Sequence, residues 1–274
     1  ETRALLPQLE DKAFVDYWRR VLRCAALCHD MGHLPFSHAG EAQLLPDHGH
    51  EEWTFHAIMS EELAAVWSEA PSYEGRNFAE DVARLALGKK GVDAFAPEVA
   101  WSGWEELLSV VITGDDFGAD RIDYLLRDAY FTGMTYGYID YHQLIQSVRL
   151  LPVAGQLVLG LDPSGMQAVE SLLLARHFMH ARVYRHPKCM VYTYHLAQFM
   201  CHFAQEYGLL ESAERYFMAR DDDVVIAWHR AAQEDCHARA LTDPTTRHRY
   251  FYLTEKEGLM ALVDDLTRKY GEGF

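Results

Sequence analysis

Positive charge is scarce in this sequence. Lys and Arg number 25 against 41 Asp and Glu, a formal net charge of −16. That balance argues against unaided binding to duplex nucleic acid or an anionic membrane, since both reward basic surfaces. A small phosphorylated substrate is not excluded, because a metal and a few local cations override the global field. Cysteine is also sparse and odd in number: Cys24, Cys28, Cys189, Cys201 and Cys236. Scattered thiols of this kind make no disulfide framework and lead us to expect a reducing cytoplasm. Cys24 and Cys28 stand four apart on an expected helix, where they read as small core residues rather than zinc ligands. No apolar run approaches the roughly 20 residues needed to cross a bilayer. The opening Glu1-Thr2-Arg3 has no signal-peptide character. An initiator Met is missing too, so the native N-terminus is expected upstream of Glu1. Internal repeats and low-complexity linkers are absent.

What remains is the composition of an ordinary globular protein, 274 residues long and 49% hydrophobic, enough for one large domain with a smaller appendage. Helical periodicity dominates. Phe14, Trp18, Val21, Leu22, Ala25 and Cys28 space out one face of a helix over 12–28, and His29 continues that stripe inward. Gly32 and Pro35 then break it. A short helix carrying Glu41 is expected within 37–45, then a turn over 45–50 and a helix over 51–68 with Glu51 and Glu52 in its first turn. Further helices are expected at 78–87, 104–112, 119–131, 141–149, 165–183 and 189–207, with weaker ones beyond 212 and a loop over 88–97. β patterning is confined to a hairpin at 150–162, turning at Ala154-Gly155. The expected fold class is mainly α, a multi-helix bundle with that one small hairpin.

Histidine is the residue in excess. Fifteen occur in all, and His29, His33, His38, His48, His50 and His56 crowd into one short window. Imidazole nitrogen beside carboxylate oxygen is what a transition metal prefers, and hydrolytic metal sites keep positions open for water. The adjacent pair His29-Asp30, where a buried helix meets a loop, fits that need. One helix cannot surround an ion, so a further ligand must come from elsewhere. Asp120 opens an amphipathic helix on its polar face and precedes Arg121. Residue type alone leaves open a dipole or capping role for Asp120, as for Asp115 and Asp116.

Two stretches carry a resemblance. The run His29-Asp30-Met31-Gly32-His33-Leu34-Pro35-Phe36-Ser37-His38 and the run Ala119-Asp120-Arg121-Ile122-Asp123-Tyr124-Leu125-Leu126-Arg127-Asp128 together resemble the HD-domain phosphohydrolases. The branch they look most like is the deoxynucleoside triphosphate triphosphohydrolases. The resemblance runs from about residue 20 to 215, with sharp motifs over about 40 of those residues. It implies an HD core over 1–215 and a C-terminal helical extension over 216–274 packed on it.

The resemblance implies a divalent metal (Mn, Mg, Fe, Ni or Zn) held by His29, Asp30 and Asp120, with one further His on a preceding helix. Residues 1–28 contain no His, so that ligand is expected upstream of Glu1. It also implies that His33, His38 and His50 line the phosphates, with Glu41 and Glu51 orienting them, and that His50 or His33 is the general acid. Arg121 would meet phosphate, Tyr184 and His186 would surround sugar and phosphates, and Tyr124 and Asp128 would lie near the sugar. The Arg182–Lys188 run can equally be a solvated end of a helix, and Pro187 departs from the cation that pattern favours.

The implied reaction is hydrolysis of a deoxynucleoside triphosphate to deoxynucleoside and inorganic triphosphate. Two alternatives stand beside it: an HD phosphohydrolase acting on nucleoside monophosphates, cyclic dinucleotides or nucleic-acid ends, and a degenerate nucleotide-binding regulatory domain. A nucleotide effector and a homo-oligomer are further implications. Trp53, Trp67, Trp101, Trp104, Tyr192 and Tyr194 are candidates for subunit contacts, although a helical core needs aromatics just as much.

Overall fold

A computed structural model describes residues 7–45, 49–95, 100–114, 118–154 and 156–246. The expected turn at Pro46-Asp47-His48, the acids Asp115 and Asp116, and Gly155 lie outside the described residues. The rest is built from helices α1 (Lys12–Cys28), α2 (His38–Glu41), α3 (Gly49–Ile58), α4 (Glu61–Ser68), α5 (Phe78–Phe95), α6 (Gly103–Thr113), α7 (Ala119–Thr132) and α8 (Tyr141–Ser147). The hairpin β1 (Val148–Val153) and β2 (Gln156–Leu161) follows, then α9 (Met166–Met179), α10 (Pro187–Tyr207), α11 (Ala213–Met218), α12 (Asp221–Ala231) and α13 (Cys236–Thr242). The two strands pair antiparallel from Val148↔Leu161 to Val153↔Gln156, the only sheet among the described residues. The fold is mainly α, as expected.

Several boundaries differ from the expectation. The helix expected over 141–149 ends at Ser147, where Val148 and Arg149 open β1, and the one expected over 165–183 gives way to a π-helical turn after Met179. The helix expected over 51–68 is two helices, because Ser60 is extended and its hydroxyl accepts from Leu63 N at 3.4 Å. Ser60 with Glu61 and Glu62 behind it is a helix-start signal that the continuous apolar spacing hid. In the loop expected over 88–97, helix resumes after Gly88, whose φ of 65° makes a left-handed break inside α5.

Three hydrophobic clusters organise the molecule. The first joins Phe14, Val21 and Ala25 of α1 to Ile58, Val82 and Leu85, with Ile112 of α6. Beneath it, Arg76 bridges the buried carboxylates of Asp81 and Glu105, and Tyr17 donates to Asp81 at 2.6 Å, tying α1, α5 and α6 together. The second gathers Leu34 with Phe199, Met200 and Phe203 of α10, Tyr216, Val224 and Ala238. The third packs Leu125 and Ala129 of α7 on Leu144, Leu172 and Met179.

The tryptophans proposed for subunit contacts belong to these interiors. Trp67, Trp101 and Trp104 pack on the first cluster and Trp53 on the second, stacked on Tyr216 at 3.7 Å. Tyr192 and Tyr194 of α10 stay exposed. Beyond residue 215, Tyr216, Val224 and Ala238 share a core with Leu34 of the histidine-rich loop, and residues 247–274 of the expected extension lie outside the described residues.

Candidate active site

The site begins where α1 ends. Asp11 caps the helix start, its carboxylate accepting from Ala13 N at 2.8 Å. The buried stripe Phe14, Trp18, Val21, Ala25, Cys28 drives the last turn into the first cluster and sets His29 just past it. His29 Nδ1 donates to the Ala26 carbonyl at 3.0 Å, which fixes the ring and, in the neutral form, leaves the lone pair on Nε2. That nitrogen lies 3.3 Å from Asp30 Oδ2 and 3.3 Å from Asp120 Oδ1. Asp120 does not cap its own helix; it turns across to His29, 91 residues away in sequence. Ligand atoms around an ion at about 2.1 Å sit roughly 3.0–3.4 Å apart, so the spacing suits a cation between them. Without one, Asp120 and Asp30 raise the His29 pKa against the opposing effect of burial.

A second group adjoins the first through Asp30. Its Oδ1 faces His33 Nε2 at 3.5 Å and His50 Nε2 at 3.9 Å. Burial raises the Asp30 pKa, but His33, His29 and His50 together hold it below the usual value. The hub is Glu41, 5% exposed. Its carboxylate takes His33 Nδ1 at 2.6 Å, His50 Nδ1 at 3.4 Å, His38 Nδ1 at 3.5 Å and the Leu34 amide at 3.0 Å. Burial alone would neutralise this acid, yet the imidazoles hold it ionised far below its ordinary range. Burial likewise lowers His33, but Asp30 and Glu41 outweigh it and push the pKa up to about 9. The His33 and His50 rings lie 3.7 Å apart. His29, Asp30 and Asp120, and separately His33, His38, Glu41 and His50, are close enough to hold a metal.

The connecting loop is held by its surroundings. A Cβ on Gly32 would lie 2.2 Å from the His50 carbonyl and 2.3 Å from Thr54 N, so only glycine permits this approach to α3. Thr54 Oγ1 accepts from Gly32 N at 3.0 Å and donates to the His29 carbonyl at 3.2 Å. Tyr216 donates to the Gly32 carbonyl at 2.6 Å. Phe36 and Ser37 both have positive φ, 62° and 50°, strained for residues with side chains. Asp221 accepts from Phe36 N at 2.9 Å and Trp228 packs near its ring, so α12 braces the strained turn.

A third wall comes from α7 and the π-helical turn His180–Tyr184. Asp120, Tyr124 and Asp128 recur every four residues along one side of α7, spanning about 12 Å of helix. Tyr184 donates to Asp128 Oδ2 at 2.7 Å and its ring lies 6.1 Å from Tyr124. Burial, then Asp128, drives the Tyr184 pKa up. His180 packs on Tyr184, and its pKa falls through burial and the positive field of Arg176, Arg185 and Arg121.

Two candidates stand apart. The Glu51 side chain lies beside Gly49 and Gly91, and among the described residues nothing links it to the histidines. His186 is exposed and caps α10, its Nδ1 accepting from Lys188 N at 3.2 Å. Sequence reasoning missed Thr54, Arg176, His180 and Tyr216. An i, i+4 pair at Arg176-His180 carried a faint signal; Thr54 and Tyr216 carried none, because long-range folding alone brings them in.

Comparison with known proteins adds to this geometry. Residues 12–94 match the HD domain, and residues 139–252 match the HD associated region. An uncharacterized protein of Methanocaldococcus jannaschii is 34% identical over 60% of this chain and 30% of its own length. Another, of Bacillus subtilis, is 33% identical over 63% of this chain and 34% of its own. The chain therefore spans about a third of the length of these curated relatives. The deoxynucleoside triphosphate triphosphohydrolase SAMHD1 of Gallus gallus is more distant, 28% identical over 63% of this chain and 31% of its own. Among solved structures, a hypothetical protein of Aquifex aeolicus superposes with a TM-score of 0.76 at 27% identity, over 99% of this chain and 67% of that one. A phosphohydrolase of Bacteroides thetaiotaomicron shares the fold at 18% identity, TM-score 0.61, over 92% of this chain and 65% of its own. The chain thus carries an HD domain followed by an HD associated region, and the His29-Asp30 pair of the first faces Asp120 in the stretch between them.

Proposed function

We propose that this chain hydrolyses deoxynucleoside triphosphates to deoxynucleoside and inorganic triphosphate, with a divalent metal held by His29, Asp30 and Asp120. The observation that carries the reading is Asp30, whose two oxygens divide between the His29–Asp120 group and the histidines around Glu41. A bound divalent ion supplies a water of lowered pKa and polarises phosphoryl oxygens.

The chain's own residues do the rest. Glu41 accepts the Nδ1 protons of His33, His38 and His50, which turns the Nε2 edges of His33 and His50 toward Asp30. His33, with its pKa near 9, carries positive charge at neutral pH and faces the phosphates. Water oxygen joins the α-phosphorus, the bond to the 5′-oxygen breaks, and that oxygen takes a proton from His50 or His33. Arg121, Arg176 and Arg185, which share one positive field at His180, offset the charge of the triphosphate. Tyr124 and Tyr184 pack against the sugar and leave no room for a 2′-hydroxyl, while Asp128 accepts from the 3′-hydroxyl. Relatives that bear the triphosphohydrolase name support this choice of substrate. A nucleotide effector and self-association belong to the same reading.

The test is incubation with each deoxynucleotide and ribonucleotide under Mn²⁺ or Mg²⁺, with products resolved by chromatography. Inorganic triphosphate release is expected, and Asp30→Ala or Asp120→Ala should abolish it while circular dichroism stays unchanged. Release of monophosphate or pyrophosphate, or turnover in either variant, overturns the proposal.

A further inference from the structure

The turn that starts α2 is held against its own preference. Phe36 and Ser37 follow one another at positive φ. Ser37, with a ψ of −136° beside its φ of 50°, stands where a type II′ turn takes glycine. Nothing local offsets that strain, since the Ser37 side chain is exposed and makes no capping bond to α2. What the turn positions is Glu41. The Phe36 carbonyl accepts from Ala39 N at 3.2 Å, and the Ser37 carbonyl accepts from Gly40 N at 2.9 Å and from Glu41 N at 3.1 Å. These bonds build α2, which at four residues is too short to form by itself. Its last residue, Glu41, then gathers His33, His38 and His50.

The contact that opposes the strain comes from far along the chain. Asp221, the first residue of α12, accepts from Phe36 N at 2.9 Å, 185 residues away. Trp228, two turns further along that helix, sets its ring 5.6 Å from the ring of Phe36. An acid in a first helical turn ordinarily serves the helix dipole. Here Asp222 and Asp223 already do so, and Asp223 also accepts from Arg220 N at 2.9 Å. We infer that Asp221 is a positioning residue for Glu41. By holding the Phe36 amide it keeps Phe36 and Ser37 in the strained turn, and the turn fixes the carboxylate on which three imidazoles converge. Without that acceptor Ser37 relaxes to negative φ, the peptide between Phe36 and Ser37 rotates, and the Phe36 carbonyl leaves Ala39. Helix α2 then loses its first bond, and Glu41 its place beside His33. This role deepens the proposed hydrolysis and rests on it for the effect on rate, while the placement of Glu41 is open to a separate measurement.

The test sets a broken brace against a relaxed turn. In the full-length protein, Asp221→Ala should lower kcat about 10²-fold, the cost of a slightly misplaced group, with KM little changed. Asp221→Asn keeps an oxygen for the Phe36 amide and removes only charge, so it should run close to wild type. Glycine adopts positive φ freely, so adding Ser37→Gly to Asp221→Ala should restore most of the lost rate. Were Asp221 merely a prop for the fold, the more flexible glycine would add to the loss instead. The same variants report on Glu41 without any substrate. The imidazole N–H of His33, 2.6 Å from Glu41, should give a far-downfield proton resonance that Asp221→Ala abolishes, Asp221→Asn keeps and Ser37→Gly recovers. If the resonance follows this pattern while even the wild type releases no triphosphate, the hydrolase reading fails and the positioning role stands. A resonance unmoved by Asp221→Ala would overturn the inference. So would an Asp221→Asn variant as impaired as Asp221→Ala, or a Ser37→Gly substitution that fails to rescue.

Discussion

Glu41 shows what a single buried carboxylate does in this site. Replacing it with Gln keeps shape and volume, but the amide nitrogen then meets imidazole N–H groups with a donor. Glu41→Gln should lower kcat by about 10²–10⁴-fold, the range for displaced acid–base groups. Metal affinity at His29, Asp30 and Asp120, read by titration calorimetry, should change little. The same cluster sets a pH dependence for the metal-free protein. His33 rises from 6.5 to about 9 on folding, so its contribution is full below pH 6.5 and is lost as pH rises through 9. Glu41 is depressed, so its contribution is full above pH 4.5 and is lost on acidification. The Tm should therefore fall at both extremes, and Glu41→Gln should flatten both limbs. The pair is worth up to about 3 kcal/mol, shared between its members rather than counted twice. At this scale the sequence was informative about residue types and poor about partners. His29, Asp30 and Asp120 stood out as ligands by chemistry and resemblance, and they meet. Glu51 looked as suitable as Glu41, but its helix turns it toward Gly91. Only the path of the loop after Pro35 distinguishes the two acids.

Among elements, the loop between α1 and α2 is the most constrained. Gly32→Ala would drive a methyl into the backbone of α3, where no flexible side chain can yield. The expected cost is about 1–3 kcal/mol, typical of overpacking. Chemical denaturation would measure it, and hydrolysis should fall further than stability alone explains, since His50 and Thr54 move with α3. A substitution of neutral effect would show that the approach is looser than described. Helices α1, α7 and α10 were legible because a long amphipathic or apolar stripe repeats over many turns. The break at Ser60 was not, because Met59 and Leu63 keep the stripe's spacing across it. The positive φ at Phe36 and Ser37 carried no signature, because neither residue type favours that region. Contacts from α12 impose it, and α12 lies some 185 residues along the chain.

Across the whole molecule, the site draws one wall from each of the three hydrophobic clusters. His29 ends a helix of the first, Leu34 anchors the histidine loop in the second, and Asp120, Tyr124 and Tyr184 come with the third. Loosening any one cluster should silence hydrolysis before the others melt. In a urea series, turnover should vanish at lower denaturant than the helical signal, and coincident midpoints would contradict this. No amphipathic pattern announces such a junction, because each cluster is written in a different stretch of the chain.

The phenol of Tyr216 on the Gly32 carbonyl closes the backbone into a circuit of 184 residues. Lengthening a taut part of that circuit, such as the short link after Leu209, would drag the phenol off its acceptor and slacken the turn between His29 and His33. Extra residues belong where the circuit already has slack, at the exposed tip beside Val153 and Ala154. Grafted loops should be accepted there with the chemistry intact.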